Sequence, residues 1–434
     1  MPNDLDDINN FSGRLQAQID LAKDLENRAD SNALIRWTQS MTDVEKPTKI
    51  DRIKNVRLIA ERCDRPLVDF EDAADVYRLL DEFRTGEHPD VPDDGLTDGT
   101  LRQYRQAARL FFRDELDRGW AEDIHIGNHD PTPVTPDQIL TSSEVDRLLD
   151  ACEHPRDAAL ISFLAVTGQR ITAALSIRLG DVNLDDRSGA IRLNDDAEGL
   201  KGAAGPRPLL WSRPYIANWI QNHPRKSDDD AALFCSKQGG KRPHEDGGMV
   251  EWEKGDPISR SQAHNDLVKV AKRANVDPDK VKPHNFRHTA ITRMRDHAVP
   301  DNRIRFIIGV TDDSDILERY DQATDEKMMA RLREDYGIEP ADDDQRSQIG
   351  QPTMTDCPQC QAPLRPAARF CPQCGTPMDA EAADAVDQSQ QAVADDMVDL
   401  DDGQKRRLAR EALDDLIDDP EFRDDLADRV SDRL

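Results

Sequence analysis

The chain has 434 residues, which predicts two or three domains at about 150 residues each. No apolar run approaches the roughly 18 residues of a membrane-spanning helix, and the first residues lack a signal-peptide pattern. We therefore expect a cytoplasmic protein without a membrane partner. The net charge of -29 argues at first against a nucleic acid partner, because phosphates repel a carboxylate surface.

The distribution of the acidic residues weakens that objection. Residues 376–434 contain 19 Asp and Glu against 7 Lys and Arg, and the remaining acid is scattered along the chain, mostly as Asp. This pattern is typical of halophilic proteins that work in molar salt, where the Debye length falls to about 3 Å. The net charge therefore neither supports nor excludes DNA binding, which would have to depend on local clusters of Arg and Lys.

The first 122 residues show apolar positions at three- and four-residue spacing, which predicts helices throughout. The predicted helices are Asn9–Leu25, Ala33–Met41, Lys49–Cys63, Glu71–Phe83 and Thr97–Arg118. On the last of them Arg102, Arg105 and Arg109 form a stripe at positions i, i+3 and i+7. The stripe is a candidate DNA contact, and an ordinary solvated helix face explains it equally well.

A proline-bearing stretch at residues 123–140 predicts a linker before a second helical block. Two short strands, Ala190–Leu193 and Pro208–Trp211, are predicted within this block, with helices again from Arg213 to about Tyr336. Residues 338–356 predict a second linker. One more amphipathic helix is predicted from Gln404 to Leu434, in an acidic tail that begins at residue 378.

Three places in the second block carry side chains suited to phosphate chemistry. They are Thr167-Gly168-Gln169-Arg170, the motif His284-Asn285-Phe286-Arg287-His288-Thr289, and Tyr320 after an apolar run. Each is weak alone, because a lone Arg is usually a surface residue and a Tyr beside apolar residues is usually in a core.

Together, in this order and spacing, these places resemble the tyrosine recombinase (phage integrase) family. The resemblance covers roughly residues 143–325 well and residues 1–122 more loosely. It implies a mainly α fold with a small antiparallel β-sheet for a catalytic domain at residues 141–337. It also implies a helical, SAM-like core-binding domain that clamps DNA at residues 1–122. Double-stranded DNA, with four protomers assembled on two duplexes, is the partner that the family implies.

The family resemblance also implies a role for each residue. Arg170 and Arg287 would hold the non-bridging oxygens of a phosphodiester, and His284 would donate to the phosphate or take a proton. Tyr320 would attack to give a 3′-phosphotyrosyl link, and Lys201 would protonate the leaving 5′-oxygen. This strand transfer conserves bond energy, so neither ATP nor a metal is expected at the site.

Two positions depart from the family pattern. Ala173 stands where an acidic residue is usual, and Val310 stands where His or Trp usually donates a hydrogen bond. The loss of one hydrogen bond to a charged group costs roughly 1.5–3 kcal/mol, which slows such chemistry without abolishing it. An active recombinase is the leading hypothesis, and a catalytically degenerate DNA-binding regulator on the same fold is the main alternative.

Cys357, Cys360, Cys371 and Cys374 form two C-x2-C pairs separated by ten residues. Four thiolates in two such turns predict a structural zinc ribbon at residues 357–377. A redox pair would need a βαβ context that is absent, and disulfides are unexpected in a reducing compartment. The ribbon and tail could also bind a protein partner, so an interaction module is a third reading. The isolated cysteines Cys63, Cys152 and Cys235 are expected to be small buried residues.

Overall fold

The computed structural model describes most of the first 320 residues and short parts of the cysteine region. The described residues are 4–127, 134–184, 189–200, 205–243, 249–297, 299–311, 314–320, 355–357, 363–364, 370–371 and 375–377. The chain divides into two units, Met1–Met354 and Thr355–Leu434. Lys201, Cys360, Cys374, the linker at 338–354 and the predicted tail helix lie outside the described residues.

Five helices form the N-terminal block, as the sequence predicted. They are α1 Phe11–Lys23, α2 Arg28–Ser40, α3 Lys46–Glu61, α4 Ala73–Thr85 and α5 Asp98–Asp114. Capping side chains set several of their starts. Asn27 accepts hydrogen bonds from the amides of Ala29 and Asp30, so α2 begins five residues before its first predicted apolar position.

Aromatic side chains fill the core of this block. Trp37 and Phe111 meet edge to face with ring centroids 5.4 Å apart, and Phe83 is fully buried. A buried carboxylate fixes the connection after α3, because Asp30 accepts the amides of Leu67 and Val68 at 2.8 and 3.0 Å. Burial raises the pKa of Asp30.

The second block is also mainly helical. Its helices are α6 Ser142–Asp150, α7 Pro155–Thr167, α8 Ile171–Leu175, α9 Arg213–Gln221, α10 Arg260–Arg273, α11 Pro283–Asp296 and α12 Asp301–Ile308. Helix α7 lies at its centre, with Leu160, Ile161, Phe163 and Leu164 fully buried. Because α7 packs against α6, α8, α9, α10 and α11, it is apolar on nearly every face.

A small antiparallel sheet interrupts the helices, in the order β1 Val182–Asn183, β2 Ala190–Leu193 and β3 Gly205–Pro208. The prediction for β2 is confirmed. The partner strand was placed too late in the sequence, because the chain leaves the sheet after Pro208 and turns into a 3-10 helix, Leu210–Ser212. The predicted class, mainly α with small antiparallel sheets, is confirmed.

A second hairpin, β4 Gly240–Pro243 and β5 Met249–Trp252, was not predicted and interrupts the helices that dominate from Arg213. The strands are held by backbone pairing and have no alternating apolar pattern that a sequence could reveal. Trp252 covers the backbone of Gly240 so closely that a Cβ there would lie 2.5 Å from the indole ring.

A buried ion cluster joins α7 to α10. Arg156 is 1% exposed and donates to Asp266 at 2.6 Å, to Asp157, and to the carbonyl of Cys235 at 3.2 Å. Lys237 donates to Asp157 at 2.9 Å from the more exposed side. The Arg156 guanidinium lowers the pKa of Asp266 against the opposing effect of burial.

The C-terminal unit contains a short antiparallel pair, β6 Thr355–Asp356 with β7 Pro363–Leu364. Cys357 and Cys371 are buried. Of the three isolated cysteines, Cys235 is buried as expected, whereas Cys63 and Cys152 are only half-buried. Among the described residues, no helix has the length and apolarity needed to cross a bilayer.

We predict that Asp266→Ala lowers the free energy of unfolding by about 1.5–3 kcal/mol, because buried Arg156 loses a charged acceptor. Urea unfolding at pH 7 measures the loss. Lys269→Ala is the matched control on the same helix, 65% exposed, and should change stability by less than about 0.5 kcal/mol.

The pH dependence gives a second check on this cluster. Because the folded pKa of Asp266 lies below its ordinary value of 3.8, its contribution is present above that pH and is lost as pH falls through the folded pKa. The difference between the wild type and Asp266→Ala should therefore narrow below about pH 4. A difference that stays constant from pH 7 to pH 3 contradicts this assignment.

Candidate active site

The first motif forms the turn between two buried helices. Helix α7 ends at Gly168, which has a left-handed φ of 59°, and Arg170 immediately precedes α8. The side chain of Gln169 donates to the carbonyl of Ile307 at 2.5 Å, which ties this turn to the end of α12. The short turn therefore directs Arg170 toward the C-terminal ends of both α7 and α12.

The second motif lies on α11, which has Pro283 in its first turn. Arg287 is 2% exposed, and its Nη1 donates to the carbonyls of Gly168 and Ile308 at 2.7 Å each. The Nε and Nη2 atoms of Arg287 are buried without a hydrogen-bond partner among the described residues. Two donors of a buried cation are thus available to an acceptor that the described part of the chain does not supply.

Arg170 converges on the same place. Its Nη1 donates to the carbonyl of Gly309 at 3.2 Å and to that of Leu200 at 3.3 Å. Burial lowers the pKa of Arg170. Burial first and then the charge of Arg170 lower the pKa of Arg287 to about 9. A bound anion would stabilise the charged form of both guanidinium groups, so the pair forms a candidate anion-binding site.

Tyr320 ends a short 3-10 helix, Asp315–Tyr320, and packs against a small cluster that contains Ile291 and Leu317. Its hydroxyl is hydrogen-bonded to Nδ1 of His288, and it acts electrostatically on Arg287 to raise the pKa of that guanidinium. The described residues therefore bring Arg170, Arg287 and Tyr320 to one site.

The family resemblance implies the histidine role for His284 and none for His288. In the structure His288 is buried and contacts Tyr320, whereas His284 is exposed and stacks edge to face on His288 with ring centroids 4.3 Å apart. The signal was present in the sequence, since His288 lies one helical turn after His284 and next to Arg287.

Lys201 lies outside the described residues, so its position stays a prediction. It follows Leu200 directly, in the connection between β2 and β3. The two residues that depart from the family pattern, Ala173 and Val310, both make apolar contacts. Ala173 is 1% exposed in the core, and Val310 packs against the cluster below Tyr320.

The arginine stripe on α5 is half-buried and partly used within the protein. Arg109 is paired with Glu122, and Nε of Arg102 donates to the carbonyl of Gly127 at 3.4 Å. Glu122 would compete with a phosphate for Arg109. The stripe stays a prediction as a DNA contact.

Helix α10 offers a surface that the sequence analysis missed. Its exposed residues are basic or neutral, and its single acidic residue, Asp266, is buried. The exposed residues of α10 are Arg260, Ser261, Gln262, Asn265, Lys269, Lys272 and Arg273. A groove of about 510 Å³, lined in part by Arg260, His264 and Lys282, leads toward the start of α11. Its residue types suit contacts with phosphates and base edges.

Comparison with known proteins agrees with this geometry. Residues 138–327 match the phage integrase family. Residues 357–378 match a zinc-ribbon domain. The chain is similar to tyrosine recombinase XerD of Corynebacterium glutamicum, with 26% identity over 193 residues that make up 42% of this chain and 55% of that protein.

Tyrosine recombinase XerA of Pyrococcus furiosus is 23% identical over 211 residues, which cover 47% of this chain and 63% of that protein. The chain thus spans 55% and 63% of the length of these two curated relatives. Among solved structures, the Tn1549 transposon integrase in complex with transposon right end DNA has a TM-score of 0.49 and 18% identity. That alignment covers 70% of this chain and 98% of the integrase chain.

We predict that Gly168→Ala destabilises the chain by about 2–4 kcal/mol. A Cβ at this left-handed residue would lie 2.9 Å from Cβ of Ala290, so backbone strain and overpacking would both destabilise the folded chain. Thermal and urea unfolding measure the loss. Gly119→Ala is the matched control, because a Cβ there meets nothing within 4 Å. Equal stability of the two variants would contradict the crowding at Gly168.

Proposed function

We propose that this chain is a site-specific DNA recombinase that cleaves and rejoins DNA through a 3′-phosphotyrosyl intermediate on Tyr320. The observation that carries the proposal is the hydrogen bond between the Tyr320 hydroxyl and buried His288. Beside it, buried Arg287 has two donors without a partner among the described residues. The match of residues 138–327 to the phage integrase family supports it. The named activity of the relatives, tyrosine recombinase, is the same chemistry.

The proposed step balances without a metal or a nucleotide. The Tyr320 oxygen attacks the phosphorus, a P–O bond to tyrosine forms, and the P–O5′ bond breaks. The phenolic proton passes to His288, and Lys201 gives a proton to the leaving 5′-oxygen. Attack by a 5′-hydroxyl from the partner strand reverses these steps and releases Tyr320.

Arg170 and Arg287 stabilise the charge that the phosphoryl oxygens carry in the transition state. Nε and Nη2 of Arg287 lie on one edge of a planar guanidinium, which suits two oxygens of one phosphate. The protein carbonyls that hold both arginines do not neutralise them, so their charge stays available to the DNA. His284 is assigned a second phosphate contact, at the exposed side of His288.

The DNA surface that we propose comprises the exposed face of α10, the groove beside it and the arginine stripe on α5. Arg260 and Asn265 are side chains of the types that read base edges in the major groove. The domain boundaries of the sequence analysis and a tetramer on two duplexes belong to this proposal. The acidic composition fits a cell with molar salt, where such local contacts outweigh distant repulsion.

Covalent trapping tests the proposed chemistry. The full chain is mixed, in high-salt buffer, with nicked suicide duplexes drawn from the DNA that flanks its own gene. We expect a denaturation-resistant protein–DNA adduct with the wild type and none with Tyr320→Phe. Arg287→Lys should lower the rate by about 10²–10³-fold, because Lys cannot supply the paired donors.

Two substitutions of His288 are compared in the same assay. His288→Leu removes the polar atom next to Tyr320 and should slow adduct formation by about 10²-fold or more. His288→Asn keeps a polar atom near the position of Nδ1 and should retain more activity than His288→Leu. Sequence-specific binding without any adduct would favour the DNA-binding regulator. Loss of function on deletion of residues 340–434, with Tyr320→Phe unaffected, would favour the interaction module.

The cysteine region fits a structural zinc ion. Cys357 and Cys371 are buried, and the turn after Cys371 is closed by hydrogen bonds from Gly375 N to Cys371 O at 2.9 Å and from Cys371 N to Thr376 O at 2.8 Å. Gly375 has a positive φ of 71°, as this tight turn requires. We propose that Cys357, Cys360, Cys371 and Cys374 hold the ion, which would supply folding energy and no catalysis.

We predict one zinc ion per chain by elemental analysis of the purified protein. Cys371→Ser should remove most of the metal, because three thiolates bind zinc less tightly than four. Cys152→Ser, a half-buried cysteine in the first unit, is the control and should keep the full content. Equal zinc in the two variants would contradict the ligand assignment.

A further inference from the structure

The first residues of the chain start α1 through Asp7 and Asn10, but they bury their apolar side chains outside the helical block that follows them. Leu5 and Ile8 are buried in the core of the second block, together with Leu193 and Leu200. We call residues 4–10 the N-terminal strap. Its last contact with that block is a hydrogen bond from Asn9 Nδ2 to Thr172 Oγ1 at 3.1 Å, on α8 directly after Arg170.

Asp6 is the polar centre of the strap. Its carboxylate accepts from Arg178 Nη2 at 2.7 Å and from Asn194 Nδ2 at 2.8 Å. Its backbone carbonyl accepts the amide of Glu198 at 2.7 Å. The hydrogen bond from Asn194, and then the hydrogen bond and charge of Arg178, hold the pKa of Asp6 below its ordinary value despite partial burial. Asp6 is thus hydrogen-bonded to both ends of the segment Asn194–Glu198.

Two side chains from the helical block reinforce this grip. Lys46, at the start of α3, pairs with Glu198 and donates to Ser12 on α1 at 2.8 Å. The ring of Phe11 covers Gly199 so closely that a Cβ there would lie 2.8 Å from it. Gly199 also has a left-handed φ of 78°, so this contact and the backbone both require glycine.

The other end of the same segment reaches the active site. The carbonyl of Leu200 accepts from Nη1 of Arg170 at 3.3 Å, and Lys201 is the next residue in the chain. The segment Asn194–Leu200 is therefore held by the strap and α1–α3 on one side and by a site arginine on the other. The carbonyl of Gly309 also accepts from Arg170, so a displaced segment would leave this arginine with a protein contact and would chiefly affect the candidate general acid.

We propose that Asp6 is a positioning residue for proton delivery to the leaving 5′-oxygen: through Asn194, Arg178 and Glu198 the strap fixes the segment that ends at Leu200, immediately before Lys201 in the sequence. This proposal rests on the proposed function. It assigns the N-terminal residues a part in the chemistry besides any grip on DNA, because a displaced segment would misplace the proton donor while Tyr320, His288 and Arg287 keep their contacts.

The test compares two leaving groups in single-turnover cleavage at saturating protein. One nicked duplex has the natural 5′-oxygen at the scissile phosphate, and the other has a bridging 5′-sulfur. A thiol has a pKa of about 8.5 and leaves as a thiolate, so it needs no general acid. Lys201→Ala is the reference variant: it should be slow on oxygen and close to wild type on sulfur.

Asp6→Ala should follow the same pattern. We expect its adduct formation to fall by about 10–100-fold on the oxygen substrate and by less than about 3-fold on the sulfur substrate, with DNA affinity unchanged. Asp20→Ala removes a carboxylate of α1 whose partners, Gln16 and Lys23, are on the same helix, and should match the wild type on both substrates.

Hydrogen exchange of the free chain gives a readout independent of DNA. The amides of Asp196, Glu198 and Gly205 should exchange faster in Asp6→Ala than in Asp20→Ala, with α7 unchanged.

A loss that is equal on oxygen and sulfur, no loss at all, unchanged exchange, or failure of sulfur to rescue Lys201→Ala would each overturn the positioning role. Absence of any wild-type adduct on both substrates would instead refute the proposed function, and the positioning role with it.

Discussion

The candidate active site depends on one buried guanidinium, that of Arg287, which the described residues hold through carbonyls and without a carboxylate. Nη1 of Arg287 donates to the carbonyls of Gly168 and Ile308, which are the last carbonyls of α7 and α12. Helix C-termini have unsatisfied carbonyls and the negative end of the helix dipole, so they stabilise a cation. A carboxylate would also have cancelled the charge, whereas carbonyls hold the arginine and leave its charge for an anion.

The same arrangement explains how the surrounding parts are placed. Arg170 follows the turn at Gly168 and donates to Gly309, so both arginines depend on the ends of the same two helices. Tyr320 packs on the cluster formed by α11 and α12, and α11 also carries His288 and Arg287. Arginine, histidine and tyrosine are therefore held at one junction of α7, α11 and α12, as electrostatic catalysis of the proposed reaction would require.

The acidic composition and a DNA-directed site are compatible because charge is sorted locally. The exposed side chains of α10 are basic or neutral although the chain has 87 Asp and Glu against 58 Lys and Arg. Within the second block, Asp157 and Asp266 are buried with Arg156 and so add no charge to the solvated surface. Net charge thus describes the solvated surface and not the candidate site.

By itself, the sequence determined the elements and motifs that depend only on positions close together in the chain. Apolar periodicity predicted the five N-terminal helices, and a short apolar run predicted β2. The motifs, through their resemblance to the tyrosine recombinase family, grouped Arg170, Arg287 and Tyr320 in one candidate site. The spacing of the cysteines predicted the zinc ribbon that the domain match supports. These features can be predicted because helix periodicity, capping and motif spacing depend on residues within a few turns of one another.

Tertiary structure alone decided the rest, because the partners are far apart in sequence. His288, to which the sequence motif gave no role, lies beside Tyr320 because α11 packs against residues 315–320. The β4–β5 hairpin is held by backbone pairing that needs no apolar pattern. Asp6 reaches Arg178 and Asn194 across more than 170 residues, a contact without any local sequence signal. Long-range contacts of this kind follow from how the blocks pack, and only the folded chain shows them.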